Sequence, residues 1–105
     1  MAWVTLGIAG LLEVVWAFSM KQSEGFTRLV PTLITLGAMA ASFALLSWSM
    51  RTLPLGTAYT VWTGIGAVGA FLAGVAWLGE AASPLRIAAA LLIVGGLALM
   101  KVSSP

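Results

Sequence analysis

Four long apolar stretches alternate with short polar ones along the chain. The apolar stretches cover about residues 2–20, 29–50, 57–78 and 85–101. At a rise of about 1.5 Å per residue, each stretch is close to the roughly 30 Å thickness of a bilayer's hydrocarbon core. The pattern predicts an all-α membrane protein with four short transmembrane helices. Because the connections are short, we expect neighbouring helices to be antiparallel and both termini to lie on one side.

The polar stretches carry the signals that end one helix and begin the next. Residues 21–28 hold three charges and a turn glycine, Gly25, and residues 51–56 contain a Pro/Gly turn. Ser83 and Pro84 predict a helix N-cap followed by proline at the first helical position. With no internal repeat and no room for a soluble domain, residues 1–105 are expected to form a single four-helix transmembrane domain.

The composition agrees with a multi-pass protein of the lipid bilayer. The chain has 105 residues, of which 61% are hydrophobic and 8% charged, and its mean hydropathy is +1.08. Soluble domains carry about 25% charged residues. Five Lys and Arg against three acids are too few to indicate a nucleic-acid partner. The absence of Cys and His excludes disulfides and the usual metal ligands, so we expect no metal and no cofactor.

The basic residues give no clear membrane orientation. Arg51 and Lys101 lie on the side of the termini, whereas Lys21, Arg28 and Arg86 lie on the other side. Because the two sides are nearly balanced, the positive-inside rule predicts no preferred orientation. One interpretation is a weak topology signal in a small protein. The other is insertion in both orientations, so that an antiparallel dimer supplies the inverted repeat that many transporters carry in one chain.

Glu13 is an ionisable residue in the middle of the first apolar stretch. It lies about 16 Å from the start of that helix, close to half the bilayer thickness. A charged side chain at this depth costs about 2.5 kcal/mol or more. Lys21, the next charge, is about 12 Å further along the helix, which is too far for a salt bridge. Glu13 therefore needs another helix, a bound cation or a proton.

Two interpretations of Glu13 follow, and Trp16 bears on both. Glu13 either holds helices together as a hydrogen-bonded carboxyl or binds ions and protons, the more common role of intramembrane acids. Trp16 is three residues away and shares its helix face. The depth of Trp16 argues against an interfacial belt residue. Its indole N–H is a donor for the carboxylate, and its ring face is a surface for a cation.

The second and third stretches supply further candidates for the same site. Tyr59 and Trp62 share a helix face and predict a lining of hydroxyl, N–H and aromatic groups opposite Glu13. The plainer interpretation is an aromatic belt beside a packing groove. Ser42 lies at a depth similar to that of Glu13, although transmembrane serines most often bond to their own backbone or to a neighbouring helix.

Glycines give each of the last two helices a predicted mechanical role. Gly64 and Gly66 weaken the third helix where it could bend, and we expect a conformational hinge there. The fourth helix is apolar throughout and offers no chemistry. Its Gly95 and Gly96 permit close approach of another helix, and we assign them to dimer packing.

Together these features resemble the small multidrug resistance transporters over the whole chain. The resemblance rests on the mid-membrane acid, on Gly-Phe-Thr-Arg at 25–28 and on Ala-Tyr-Thr-Val-Trp-Thr-Gly-Ile-Gly at 58–66. Glu-Val-Val-Trp-Ala at 13–17 is similar to the guanidinium-exporter subtype, because drug-exporting relatives usually have a small residue in place of Trp16. The resemblance implies an antiparallel homodimer of dual topology in the bacterial plasma membrane, whose two Glu13 carboxylates bind substrate or protons. It also implies supporting roles for Trp16, Ser42, Tyr59 and Trp62.

We therefore expect export of guanidinium or small guanidinyl cations in exchange for protons. Guanidinium is a planar cation with N–H donors around its edge, which suits paired carboxylates. The alternative within transport is proton-coupled export of quaternary ammonium or other hydrophobic cations, against which Trp16 argues by filling space. The alternative of another class is a structural membrane subunit without transport. We expect no enzymatic activity, because no second acid, His, Cys or Lys lies at the depth of Glu13.

Overall fold

The protein folds into four helices that follow the four apolar stretches. The computed structural model describes residues 1–103, with α1 at Ala2–Gln22, α2 at Leu29–Ser49, α3 at Leu55–Trp77 and α4 at Pro84–Val102. Each helix is long and apolar enough to cross a membrane, and residues 1–103 contain no strand. This confirms the predicted all-α membrane fold.

Two helix ends differ by two residues from the limits of the apolar stretches. α1 continues through Lys21 to Gln22, because a basic residue in the last turn interacts favourably with the helix dipole. α3 begins at Leu55, directly after Pro54, which is the N-cap residue with φ −61°. Proline ends the preceding turn there, and its fixed φ leads straight into the helix.

The start of α4 has the cap that the sequence predicts. Ser83 is the N-cap residue, and its Oγ accepts a hydrogen bond from the backbone N–H of Arg86 at 3.3 Å. Pro84 occupies the first helical position, where a missing N–H costs nothing. The cap fixes the end of the α3–α4 connection and places Arg86 in the first turn of α4.

The α1–α2 connection is organised around a buried serine. The hydroxyl of Ser23 donates to the carbonyl of Met20 at 2.7 Å and accepts from the backbone N–H of Phe26 at 3.0 Å. Glu24, Gly25 and Phe26 all have positive φ, between 51° and 73°. Three successive left-handed residues turn the chain within one short loop, and only the glycine adopts that conformation without steric cost.

α1 is the central helix of the protomer and α4 is the outermost. α1 packs along both α2 and α3, whereas α4 packs against α3 and has no buried residue. The Cα atoms span 43 × 34 × 16 Å, so the protomer is a thin slab with two broad faces. Much of the apolar surface of α4 is therefore available to lipid or to another chain.

The polar stripe of α2 faces inward. Thr35, Ser42 and Ser49 are seven residues apart and fully buried. The hydroxyl of Thr35 donates to the carbonyl of Pro31 at 2.8 Å, and that of Ser49 donates to the carbonyl of Leu45 at 2.9 Å. These bonds to the preceding turn satisfy hydroxyl groups that have no water to bond inside a membrane.

Glycines bring α1 and α3 into close contact. A Cβ at Gly10 of α1 would lie 2.6 Å from Cγ2 of Ile65 in α3. In the other direction, a Cβ at Gly69 of α3 would collide with Val14 of α1. At each of these glycines, one helix makes room for a branched side chain of the other helix. These contacts fix the axial position of α1 relative to α3.

Candidate functional site

Glu13 is half-buried, with one carboxyl oxygen enclosed by the helices and without a protein partner. Its Oε1 atom is buried and accepts no hydrogen bond from any described residue. The only ion pair between side chains of residues 1–103 joins Arg86 to Glu80. A buried carboxyl oxygen without a partner is costly. The carboxyl group is therefore available to a cation, a proton or a second chain.

Gly66 of α3 provides the space that this carboxyl group occupies. A Cβ at position 66 would collide with Oε1 and the carboxyl carbon of Glu13. α3 is a continuous helix through Gly66, from Leu55 to Trp77. The structure therefore gives Gly66 a contact with the acid. The predicted hinge at Gly66 stays a prediction.

Trp16 follows Glu13 by one turn and also has an unpaired polar atom. Its indole Nε1 is buried and donates no hydrogen bond within the described chain. The sequence predicted this N–H as a donor to the Glu13 carboxylate, but in the protomer the two groups do not bond to each other. Donor and acceptor are thus both left open on one face of α1.

Ser42 and Trp62 join three helices through one chain of hydrogen bonds. The hydroxyl of Ser42 donates to the carbonyl of Ala9 in α1 at 2.6 Å. It accepts a hydrogen bond from the indole Nε1 of Trp62 in α3 at 3.0 Å. Ser42 is fully buried and Trp62 is buried, so neither bond competes with water. The chain of bonds orients the Trp62 ring and keeps one lone pair of the serine oxygen unused.

A column of four aromatic rings runs across α1, α2 and α3. The rings of Trp16 and Phe43 meet edge to face with centroids 6.3 Å apart. Phe43 is 5.7 Å from Trp62, and Trp62 is 5.7 Å from Tyr59. Such separations are typical of favourable aromatic pairs. Tyr59, with 54% of its surface exposed, is the open end of the column.

The structure thus divides the predicted site residues into two groups. Trp16, Tyr59 and Trp62 belong to the aromatic column, and Ser42 is bonded to it through Trp62. Glu13 instead lies against Gly66 and makes no hydrogen bond to the others. Among residues 1–103 no three His, Cys, Asp or Glu come together as metal ligands.

The remaining predicted glycines lie away from the acid. A Cβ at Gly64 would lie 2.5 Å from Cδ2 of Leu97, so Gly64 forms the contact between α3 and α4. At Gly95 and Gly96 a Cβ would meet nothing within 4 Å, and both residues are exposed. Their predicted role in dimer packing stays a prediction.

Two members of the site were not predicted from the sequence. Phe43 connects the rings of Trp16 and Trp62, and the carbonyl of Ala9 accepts the bond from Ser42. Phe43 directly follows Ser42, and its place beside a polar residue at membrane depth was the available signal. No sequence signal indicated the carbonyl of Ala9, because every residue of a helix has a backbone carbonyl whatever its side chain.

Comparisons with known proteins agree with this architecture. Residues 1–93 match the family described as Small Multidrug Resistance protein. A protein of Citrobacter freundii named Guanidinium exporter is 60% identical over 104 residues, which cover 99% of both chains. Proteins of the same name from Salmonella typhimurium strain LT2 and Escherichia coli strain K12 are 58% and 57% identical over the same share. The chain therefore belongs to the Small Multidrug Resistance family, as a multi-pass protein of the bacterial inner membrane.

Proposed function

We propose that this protein exports guanidinium across the bacterial inner membrane in exchange for protons. The observation that carries the proposal is the unpaired carboxyl oxygen of Glu13 in the middle of α1. The relatives named Guanidinium exporter, 57–60% identical over almost the whole chain, support the choice of cargo. Because these relatives are exporters, we also infer a transporter and not an enzyme.

The chemistry of the site suits a small planar cation. Guanidinium presents pairs of parallel N–H donors, and a carboxylate accepts such a pair in bidentate geometry. Glu13 supplies the carboxylate. The faces of Trp16 and Trp62 are surfaces over which a delocalised cation is stabilised. The unused lone pair of Ser42 is an acceptor for a further N–H.

Proton coupling follows from the same carboxyl group. The chain contains no His and no Cys, and its other two acids, Glu24 and Glu80, lie in the connections between helices. A proton and a cation therefore compete for Glu13. In a dimer the two Glu13 groups titrate as a unit. Exchange results when the site changes the membrane side to which it is open only while a proton or a cation occupies it.

We further propose that the working form is an antiparallel homodimer. The Oε1 of Glu13 and the Nε1 of Trp16 are both unsatisfied in one protomer, and a second copy would supply partners for them. α4 has no buried residue, and Gly95 and Gly96 leave its backbone open to close approach. The nearly balanced basic residues at the two membrane ends allow both orientations.

Guanidinium-evoked proton release tests the proposed exchange. Detergent-solubilised protein in weakly buffered solution should release protons when guanidinium chloride is added at fixed starting pH. Urea has the same planar shape without the charge and should release none. Tetramethylammonium has the charge without the N–H donors and should release much less. Equal release by tetramethylammonium would favour export of quaternary ammonium ions, and no release by any cation would contradict exchange at Glu13.

Cysteine labelling tests the dual topology. The chain has no Cys, so single substitutions Glu24→Cys and Thr52→Cys place one thiol at each membrane end. A membrane-impermeant maleimide added to intact cells should label about half of the molecules of either variant, since each end faces outward in half of the copies. Labelling of one variant alone would rule out the antiparallel dimer.

A further inference from the structure

The connection between α3 and α4 folds back onto the end of α3. Gly79 has φ +69° and reverses the chain, and the backbone N–H of Glu80 then donates to the carbonyl of Gly74 at 3.1 Å. A Cβ at Gly74 would collide with the carboxyl group of Glu80. Glu80 thus lies against the α3 backbone, although it belongs to a loop.

Glu80 lines the rim of a cavity between α1 and α3. The cavity has a volume of about 330 Å³, and four alanines are among its lining residues: Ala17, Ala67, Ala70 and Ala73. Ala17 is one turn from Glu13, and Ala67 directly follows Gly66, the glycine that the Glu13 carboxyl contacts. The cavity therefore extends from the membrane end that carries Glu80 to residues close to Glu13 and Gly66 in the sequence, although neither of these two lines it.

The protein's own guanidinium group occupies this rim. The Nη1 of Arg86 donates to the carbonyl of Ala81 at 2.8 Å, and its Nη2 lies 3.9 Å from Oε1 of Glu80. Its Cζ lies 5.1 Å from the centroid of the Phe71 ring. A carboxylate, a carbonyl and an aromatic face are three groups that recognise a guanidinium ion. All three meet here around one side chain.

We infer that the α3–α4 connection forms an outer guanidinium site, with Arg86 as its resident occupant. The inference rests on the proposed function, because guanidinium is the exported cation there. A free guanidinium ion displaces the Arg86 side chain from Glu80, Ala81 and Phe71. It then stands beside this cavity, about 12 Å from Glu13 along α1.

The strength of the Arg86 contact is suited to such an exchange. The two side chains are 45% and 42% exposed and their charged atoms are 3.9 Å apart, and exposed pairs of this kind contribute little free energy. Breaking this ion pair therefore costs little, and the free ion regains the carbonyl and aromatic contacts that Arg86 gives up. Lys21 lines the same cavity and repels a cation, so the outer site binds weakly and passes its ion on.

Nitrogen NMR of the arginine side chains tests the site independently of Glu13. The chain contains only three arginines, Arg28, Arg51 and Arg86, so the spectrum of the Nε–Hε groups is simple. The signal that is lost in Arg86→Gln is the signal of Arg86. In Glu13→Gln protein, guanidinium chloride should shift the Arg86 signal to saturation and leave the other two unchanged. Glu80→Gln in the same background should abolish the shift.

Screening by added salt is the rival explanation for a shift. Tetramethylammonium chloride at equal concentration provides the control, since it has the same charge and no N–H donors. An equal shift of Arg86 with either salt, a common shift of all three arginine signals, or no shift would overturn the outer site. Because Glu13 is absent from this protein, each result is independent of whether the chain exchanges guanidinium for protons.

Transport at low guanidinium concentration is the second arm of the test. In proteoliposomes, Glu80→Gln should raise the guanidinium concentration for half-maximal transport about threefold, which is the effect expected of one half-exposed charge. Glu24→Gln removes an exposed acid at the same membrane end and should leave that concentration unchanged. An unchanged value for Glu80→Gln would overturn the inference, whereas absence of transport in wild-type protein would contradict the proposed function instead.

Discussion

α1 and α4 have similar lengths and similarly apolar sequences, yet they occupy opposite environments. α1 spans 21 residues, packs against two helices and buries Leu6, Ala9, Gly10 and Ser19. α4 spans 19 residues, packs against α3 and buries none. The difference shows that hydropathy identifies a membrane helix without indicating its neighbours. The helix that carries Glu13 packs against two other helices, whereas the helix with no ionisable residue in its middle leaves its apolar face unburied.

Removing the carboxylate of α1 should have the largest effect of the changes that test this contrast. Glu13→Gln keeps the side chain's size but cannot bind a proton and a cation in turn. We expect complete loss of guanidinium-evoked proton release and of transport in proteoliposomes. Glu24→Gln, which removes an exposed acid from the α1–α2 connection, should behave like the wild-type protein. Proton-coupled transport retained by Glu13→Gln would contradict the assignment of exchange to α1.

Filling the space around that carboxylate should have the next largest effect. Gly66→Ala places a methyl group where the Glu13 carboxyl lies, so either the side chain or the helix must move. Overpacking costs about 1–3 kcal/mol, and we expect guanidinium affinity to fall about ten- to hundredfold. Gly37→Ala in α2, where a Cβ meets nothing within 4 Å, is the matched control. Isothermal titration of guanidinium into both variants measures the difference, and equal affinities would show that α3 does not constrain the acid.

Opening space on the same face of α1 should change selectivity. Trp16→Gly removes a ring that lies one turn from Glu13 and contacts Phe43. If about 60 Å² more of an apolar cation becomes buried, at about 25 cal/mol per Å², its affinity rises about tenfold relative to guanidinium. Competition between guanidinium and tetraphenylphosphonium measures the ratio. Trp16→Phe keeps most of the ring and should shift it less, and an unmoved ratio in Trp16→Gly would mean that Trp16 only packs.

The smallest predicted effect is on the free energy of unfolding, when the same Gly→Ala substitution is made in α1 and in α4. Gly10→Ala in α1 brings a methyl group within 2.6 Å of Ile65, whereas Gly95→Ala in α4 meets nothing within 4 Å. We expect Gly10→Ala to lower the free energy of unfolding by about 1–2 kcal/mol. Gly95→Ala should leave it unchanged or raise it by up to about 1 kcal/mol, because alanine favours a helix. Unfolding of separated protomers in excess detergent gives both values, and equal destabilisation would mean that the contact of α1 with α3 at Gly10 is no tighter than the surroundings of Gly95 in α4.

The sequence predicts the helices well because each depends on local signals. A bilayer's thickness sets the length of an apolar stretch, and Ser83 and Pro84 mark a helix start by their own chemistry. The depth of Glu13 follows from counting residues along one helix. Its lack of a partner on that helix follows from the distance to Lys21. None of these inferences needs to know which helix lies beside which.

The contacts between helices could not be predicted in the same way. Which α3 residue faces Glu13 depends on the axial position of α1 relative to α3, and that position is set by the contact of Gly10 with Ile65. Periodicity within one helix contains no such information. For this reason the sequence indicated Gly66 as a flexible point. Its contact with the carboxyl group emerged only from the structure.

The interlocked glycines of α1 and α3 have a mechanical consequence. Gly10 accepts Ile65, Gly69 accepts Val14, and between them Gly66 accepts the acid itself. Sliding one helix along the other would force each branched side chain out of its notch, so the two helices move as one body. A bend of α3 at Gly66 would push directly on the Glu13 carboxyl group. The shape of α3 at Gly66 and the position of the Glu13 carboxyl group are therefore coupled, and a change in one requires a change in the other.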